Sequence, residues 1–185
     1  MEPFPLLRTE RLVLREFTPG DAPELRQIAQ AREVARTMLR LPHPYDEGVA
    51  EEWIASLRPM FESGTATTFA LVLREGGTLL GTVSLYTSAQ EGSGLLGFWI
   101  GVPYWNQGYA PEAVAEVVRY GFEDRSLRLI RANRFGSNTA SGRVLGKVGM
   151  VYQGTLPDYY EKWGAKEDRV EYLLHARKWR RNSGR

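Results

Sequence analysis

The chain has 185 residues, 43% of them hydrophobic, and a formal net charge of +2, which suits one folded domain with a substantial core. It holds no cysteine and only two histidines, His43 and His175, which excludes disulfides, thiolate metal sites and a cysteine nucleophile and argues against a multi-histidine metal centre. No apolar run approaches the roughly 20 residues that span a bilayer, and Met1-Glu2-Pro3-Phe4-Pro5 has neither a basic start nor a long apolar stretch, so a cytoplasmic protein with no membrane partner is expected.

Thr9 to Phe17 reads as a first strand, with Leu12, Val13 and Leu14 among charged neighbours. A helix starts at Thr18-Pro19-Gly20-Asp21, capped by Thr18 or Asp21, and runs to about Ala31. Pro42-His43-Pro44 breaks the chain, and a second helix over 47–62 places Val49, Trp53, Ile54 and Leu57 on one face. Thr67–Arg74 and Leu79–Tyr86 form a hairpin about Glu75-Gly76-Gly77-Thr78. Leu95–Val102 is a fourth strand. A turn with Pro103 and Gly108 leads at once into a helix over 111–123, which buries Ala113, Val114, Val117 and Val118.

This strand–turn–helix passage is the most informative part of the chain. A helix N-terminus offers free backbone N–H groups, and a glycine beside it lets an anion approach closely, so a pyrophosphate fits there. Leu127–Asn133 is a fifth strand, 138–148 a helix ended by Gly149, Met150–Gly154 a sixth strand and Arg169–Ala176 a seventh. The order describes one α/β domain over residues 1–176 around a mixed sheet. Residues 177–185 form a basic tail. Removing its Arg177, Lys178, Arg180, Arg181 and Arg185 takes the formal charge from +2 to −3, so the body is slightly acidic and no firm nucleic-acid signal remains. The tail is read as frayed, with an RNA or ribosome contact as the other reading.

With these segments in place, the chain resembles the GNAT superfamily of N-acetyltransferases over nearly its whole length. The opening Leu7-Arg8-Thr9-Glu10-Arg11-Leu12-Val13-Leu14-Arg15 is similar to its RimJ/RimL-type branch, which includes ribosomal-protein N-terminal acetyltransferases. Gln107-Gly108-Tyr109-Ala110 resembles the second half of the family's pyrophosphate loop. Asn138-Thr139-Ala140-Ser141 through Lys147-Val148-Gly149-Met150 resembles its Asn-x-x-Ser helix. The resemblance implies a mixed seven-stranded sheet flanked by about four helices, with strands four and five splayed. The gap admits the pantetheine arm of acetyl-CoA along Trp99, Ile100, Gly101 and Val102, with Gly101 suited to a bulge.

By the same resemblance, Gln107, Gly108, Tyr109 and Ala110 bind the cofactor, and no metal is required. Asn138 and Ser141, three apart, face one groove as cofactor-binding and catalytic residues, with Ser141 the proton donor. A capped helix, with Ser137 or Asn138 meeting end N–H groups, explains the same residues structurally. Arg143 and Lys147 reach cofactor phosphates or stand as solvated charges. Two family groups are missing: a tyrosine acid, replaced by Leu145, and a glutamate base, replaced near Leu95. The base is open among Asp158, Glu161 and Asp168, while Glu112 is read as structural, meeting end N–H groups of its helix.

The implied reaction moves an acetyl group from acetyl-CoA to an amine by direct attack. The acceptor is a protein N-terminus, a ribosomal protein among them, or a small molecule. A homodimer is in keeping with the family. The alternative is a non-catalytic acyl-CoA-binding or sensing module.

Overall fold

Apolar runs, some alternating and some continuous, give eight strands in the computed structural model, which describes residues 3–182. They are β1 (Leu7–Arg8), β2 (Leu12–Arg15), β3 (Ala66–Leu73), β4 (Leu79–Ser88), β5 (Ser93–Ile100), β6 (Leu129–Phe135), β7 (Val151–Lys162) and β8 (Ala165–His175). Among the described residues there are six α-helices: α1 (Ala22–Ala29), α2 (Arg32–Ala35), α3 (Val49–Glu62), α4 (Tyr109–Glu123), α5 (Thr139–Lys147) and α6 (Ala176–Asn182). One mixed sheet runs β1-β2-β3-β4-β5-β6-β8-β7. All strand pairs are antiparallel except β5 with β6. The α/β class and the mixed sheet agree with the sequence; the sheet has eight strands where seven were expected, and six helices replace about four.

The extra strand has a local cause. The Thr9 N–H donates to the Leu12 carbonyl at 3.0 Å, and the Leu12 N–H returns to Thr9 Oγ1 at 3.0 Å. That turn shortens the strand expected over residues 9–17 to Leu12–Arg15 and folds the preceding Leu7–Arg8 back as a strand of its own, with Leu7 against Leu14. The described part of the tail differs from expectation: residues Ala176–Asn182 are helical rather than frayed, and Trp179 packs on Phe122 with ring centroids 5.5 Å apart, while 183–185 lie outside the described residues. Gly101 carries no bulge. Its φ is −58° and it follows β5 into a 3₁₀ turn over Val102–Tyr104, while the register shift of this region lies in the β3–β4 pairing, where Leu71 and Val72 face Gly81 and Leu79 and Leu80 is the extra residue.

The sheet is covered on both faces. Leu12, Leu14, Phe69, Leu71, Leu85 and Ile130 pack against Val114, Val117 and Val118 of α4. Ala70, Val72, Leu79 and Trp99 pack against α1 and α3 through Leu25, Ile28 and Ile54. β3 is buried on both faces, which is why its sequence is a continuous apolar run. At the start of α1, Arg15 holds Asp21 through two 2.7 Å hydrogen bonds, and Asp21 also accepts the Thr18 N–H at 2.7 Å.

α4 is latched to the β1–β2 turn. Glu112 accepts from the Thr9 hydroxyl, the Arg11 N–H at 2.9 Å and the Arg11 Nε at 2.7 Å. Glu112 is therefore structural as expected, but its partners lie across the molecule, not at its own helix end. Burial pulls its carboxyl upward; the hydrogen bonds from Thr9 and Arg11 outweigh that and hold it below its ordinary value of 4.5. The latch thus contributes fully above that value and fades as pH falls through the lowered one. Glu112→Gln is expected to cost about 1–2 kcal/mol near neutral pH, a range discounted for the exposure of Arg11. Thermal melts of both proteins from neutral to acid pH check this: the gap between them should close on the acid side of 4.5.

Candidate active site

The site sits where two neighbouring strands part. β5 and β6 are paired only from Ser93↔Leu129 to Leu96↔Ala132. Beyond that, β5 stays with β4 up to Ile100, and β6 stays with β8 up to Phe135. These are the splayed strands four and five of the sequence reading. Gly101 N–H donates to the Leu80 carbonyl at 2.8 Å, on the β4 side, so strand alternation turns the backbone of Phe98 and Ile100 toward the gap. The Ile100 carbonyl is taken by the Trp105 indole N–H at 2.6 Å. The Ile100 N–H and the Phe98 backbone remain on that edge.

A cavity of about 390 Å³ occupies the gap. Trp99, Ile100, Gly108, Tyr109, Ala110, Asn138, Ser141, Arg143 and Lys147 all line it, so both sequence blocks meet there. Three other candidates stand outside its wall. Gln107 donates its side-chain amide to the Pro103 carbonyl at 2.8 Å, Gly101 is buried behind Ile100, and Val102 faces a second cavity of about 430 Å³ beside α1. Leu145, at the missing tyrosine's place, is 1% exposed and belongs to the core.

One wall is the turn into α4. Asn106 and Gly108 have φ of 61° and 82°, flanking Gln107, and Gly108 is the N-cap. Such alternation converges successive N–H groups on an anion, and the first turn of α4 leaves the N–H groups of Tyr109 and Ala110 without helical partners. Pro111 has no N–H to offer. A Cβ on Gly108 would lie 3.2 Å from Arg11 Nη2. Arg11 clamps this turn from outside, donating to the Gln107 carbonyl at 2.9 Å and lying 4.5 Å from the Tyr109 ring centroid. Sequence reading missed Arg11 as a site residue; its only signal was its place in the opening motif.

The facing wall is α5. Its N-cap is Asn138, which leaves Ser137 for another task. Asn138 Oδ1 accepts the Ser141 N–H at 3.2 Å, and this fixes the amide so that Nδ2 donates to Ser141 Oγ at 2.9 Å. Ser141 Oγ is thereby an acceptor toward Asn138, and its own proton is free for the cavity. Arg143 and Lys147, four residues apart on α5, are exposed and make no ion pair among the described residues. Ser137 gives its hydroxyl to Glu167 Oε1 at 2.6 Å and its N–H to Oε2 at 3.2 Å. Among the described residues, no carboxylate lines the cavity itself.

The far end of the gap meets Val34, Arg36 and Thr37, at and just beyond α2. Outside it, the tip of the β7–β8 hairpin rests on the segment after α2. Lys162 Nζ donates to the carbonyls of Leu39 at 3.3 Å and Leu41 at 2.9 Å, and burial lowers its pKa. Trp163 lies 5.2 Å below the Arg32 guanidinium and 5.8 Å from His43. Of the base candidates, Asp168 accepts the Asp158 N–H at 3.0 Å, and neither it, Asp158 nor Glu161 lines the cavity. His175 ends β8, away from these residues.

Residues 11–151 match the family described as Acetyltransferase (GNAT) domain. The N-acetyltransferase p20 of Bacillus licheniformis, itself uncharacterised, is 30% identical over 174 residues, covering 94% of this chain and 97% of that protein. Among solved structures, a ribosomal L7/L12 α-N-protein acetyltransferase in complex with coenzyme A superposes with a TM-score of 0.85 at 13% identity, over 92% of this chain and 98% of that one. The ribosomal-protein-S5-alanine acetyltransferase of Vibrio fischeri superposes at 0.83 with 21% identity, over 94% and 98%. At those identities the superpositions establish the fold. The chain belongs to the GNAT acetyltransferase family, and it is an acetyl-CoA-dependent N-acetyltransferase.

The left-handed Gly108 gives a direct check on the turn. A side chain there meets an unfavourable φ, so Gly108→Ala should lower stability by roughly 1–2 kcal/mol. Calorimetry should show weaker coenzyme A binding in the same variant. Unchanged affinity would remove this turn from the phosphate site.

Proposed function

We propose that this chain acetylates the α-amine of a protein N-terminus, with acetyl-CoA lying in the gap between β5 and β6. The observation that carries the reading is the gap itself, bounded by the amide-rich turn into α4 and by a serine whose proton is free. The α4 turn suits a pyrophosphate, with Tyr109 and Ala110 N–H groups as donors and Gly108 permitting close approach. Arg143 and Lys147 reach toward the phosphates from α5. The open backbone edge at Phe98 and Ile100 suits an extended arm that pairs as an added strand would. Acetyl-CoA supplies a thioester whose carbonyl carbon accepts an amine.

The chain's own groups then have distinct tasks. The Ile100 N–H polarises the acyl oxygen. Asn138 orients Ser141, and Ser141 gives a proton to the departing sulfur. An α-ammonium has a reference pKa of about 7.7–8.0 against about 10.4 for lysine, so it needs less help to become a nucleophile. That difference supports an α-amine acceptor in a cavity with no carboxylate of its own. The names of the ribosomal L7/L12 and S5-alanine acetyltransferases support a ribosomal protein as the source of that amine.

Mass spectrometry of N-terminal peptides and small amines incubated with the protein and acetyl-CoA tests the reading. Peptides gaining one acetyl group on the α-amine are expected. Coenzyme A binding with no transfer to any amine would contradict it and favour a binding module. Ser141→Ala should lower kcat by roughly 100-fold while coenzyme A affinity stays within about threefold, as single-turnover kinetics and calorimetry can separate.

A further inference from the structure

The cavity has two serine hydroxyls in its wall, and their hydrogen bonds give them opposite polarity. Ser141 Oγ accepts from Asn138 Nδ2 at 2.9 Å, so its proton is available to the cavity. Ser137 Oγ is committed the other way. It donates to Glu167 Oε1 at 2.6 Å, so only its lone pairs face a ligand. The Ser137 N–H also goes to Glu167, at 3.2 Å, and this second bond fixes the carboxylate against the serine. The corner carrying Ser137 is itself held. Arg134 Nη1 donates to the carbonyls of Phe135 and Gly136 at 2.8 and 2.9 Å, and Gly136 N–H donates to the Asp168 carbonyl at 2.9 Å.

We infer that Ser137 receives the proton of the acceptor ammonium and that Glu167, through Ser137, is the group that takes it away. The inference rests on the amine-acetylating reading above. Ser137 touches the substrate; Glu167 acts through it and is a positioning residue and proton sink. As the ammonium N–H gives its proton to Ser137 Oγ, the Ser137 hydroxyl proton passes to Glu167 Oε1, and from there to water. The freed nitrogen lone pair forms the C–N bond, and the C–S bond breaks. Ser141 gives its proton to the departing sulfur and takes the second proton of the nitrogen in return. One ammonium, one thioester and two serines thus become an amide, a thiol, one released proton and the same two serines.

The neighbours of Glu167 come from both strands of the β7–β8 hairpin and from the corner before α5. Tyr160 is opposite it on β7, and Lys166 and Asp168 are its chain neighbours. Arg169, two residues along β8, is paired with Glu171 at 2.7 Å and stacked 4.8 Å from the Tyr159 ring. No charged side chain of α5 bonds to Glu167; its polar partner from that side is Ser137. Burial raises the Tyr160 phenol, so Tyr160 stays neutral across the range that matters.

The test is the pH profile of kcat/KM with an α-amine peptide that the wild-type protein acetylates. Glu167→Gln should lower kcat/KM by roughly 100-fold at about pH 7, where most of the acceptor is ammonium. The deficit should shrink at least about tenfold by about pH 9.5, where the amine is already neutral. Ser137→Ala should show the same pH-selective loss, and it serves should Glu167→Gln fail to fold. Melting temperature and coenzyme A affinity, read on the same samples, should change little. Glu75→Gln, at an exposed carboxylate in the β3–β4 turn, should keep the wild-type profile. A loss equal at every pH, or none, in Glu167→Gln and Ser137→Ala would overturn the relay while leaving the acetyltransferase reading intact. A wild-type protein that acetylates no amine would overturn both.

Discussion

The molecule depends on one interrupted ladder. β5 and β6 share four residue pairs and then separate, each following its outer neighbour. Parallel strands separate in this way only when the backbone groups they give up find other partners. Here one of them, the Ile100 carbonyl, is met by the Trp105 indole. The Ile100 N–H and the Phe98 backbone are left for whatever enters. An opening of this kind inside a sheet buried on both faces is at once a cleft with apolar walls and a strip of hydrogen-bonding backbone. That combination suits a long, flexible thioester arm with amide groups.

Each end of the opening is braced by a polar contact between segments far apart in the chain. On the α4 side, Glu112 ties the helix start to Thr9 and Arg11, about a hundred residues earlier in the sequence, and Arg11 also holds the Gln107 carbonyl. On the α5 side, Glu167 ties Ser137 to β8, and Asn138 aims Ser141. Rigid elements and locked rotamers are what a transfer reaction needs from its scaffold, because small misplacements of reacting groups cost large factors in rate. The hairpin tip at Lys162 and Trp163 adds a third contact, bridging to the segment after α2 beyond the far end of the cleft.

Local signals in the sequence located most of the elements. The Glu75–Thr78 turn, the α4 and α5 helices and the strands on either side of the gap follow from glycine placement, capping residues and apolar spacing. Asn138 and Ser141 were legible because a three-residue spacing at a helix start has a fixed geometry. What was missed has no local signature. Thr9-Glu10-Arg11 contains no glycine or proline, yet Thr9 makes a turn with its own hydroxyl. The α2 helix is one turn long and is held by the burial of Val34 and Ala35. β7 runs on to Lys162, past Pro157 and Asp158, because β8 supplies its pairing. Arg11, Trp105 and Glu167 do their work through partners distant in sequence or through a backbone carbonyl, and residue type alone does not reveal either.

The claim that the parted strands and the α4 turn together hold acetyl-CoA can be tested at the level of individual amides. The full chain, labelled with ¹⁵N and titrated with coenzyme A, should show its largest amide shifts at Phe98, Ile100, Tyr109 and Ala110, and their exchange with solvent should slow. Binding that left these four amides unmoved while perturbing others would place the cofactor elsewhere and contradict the account.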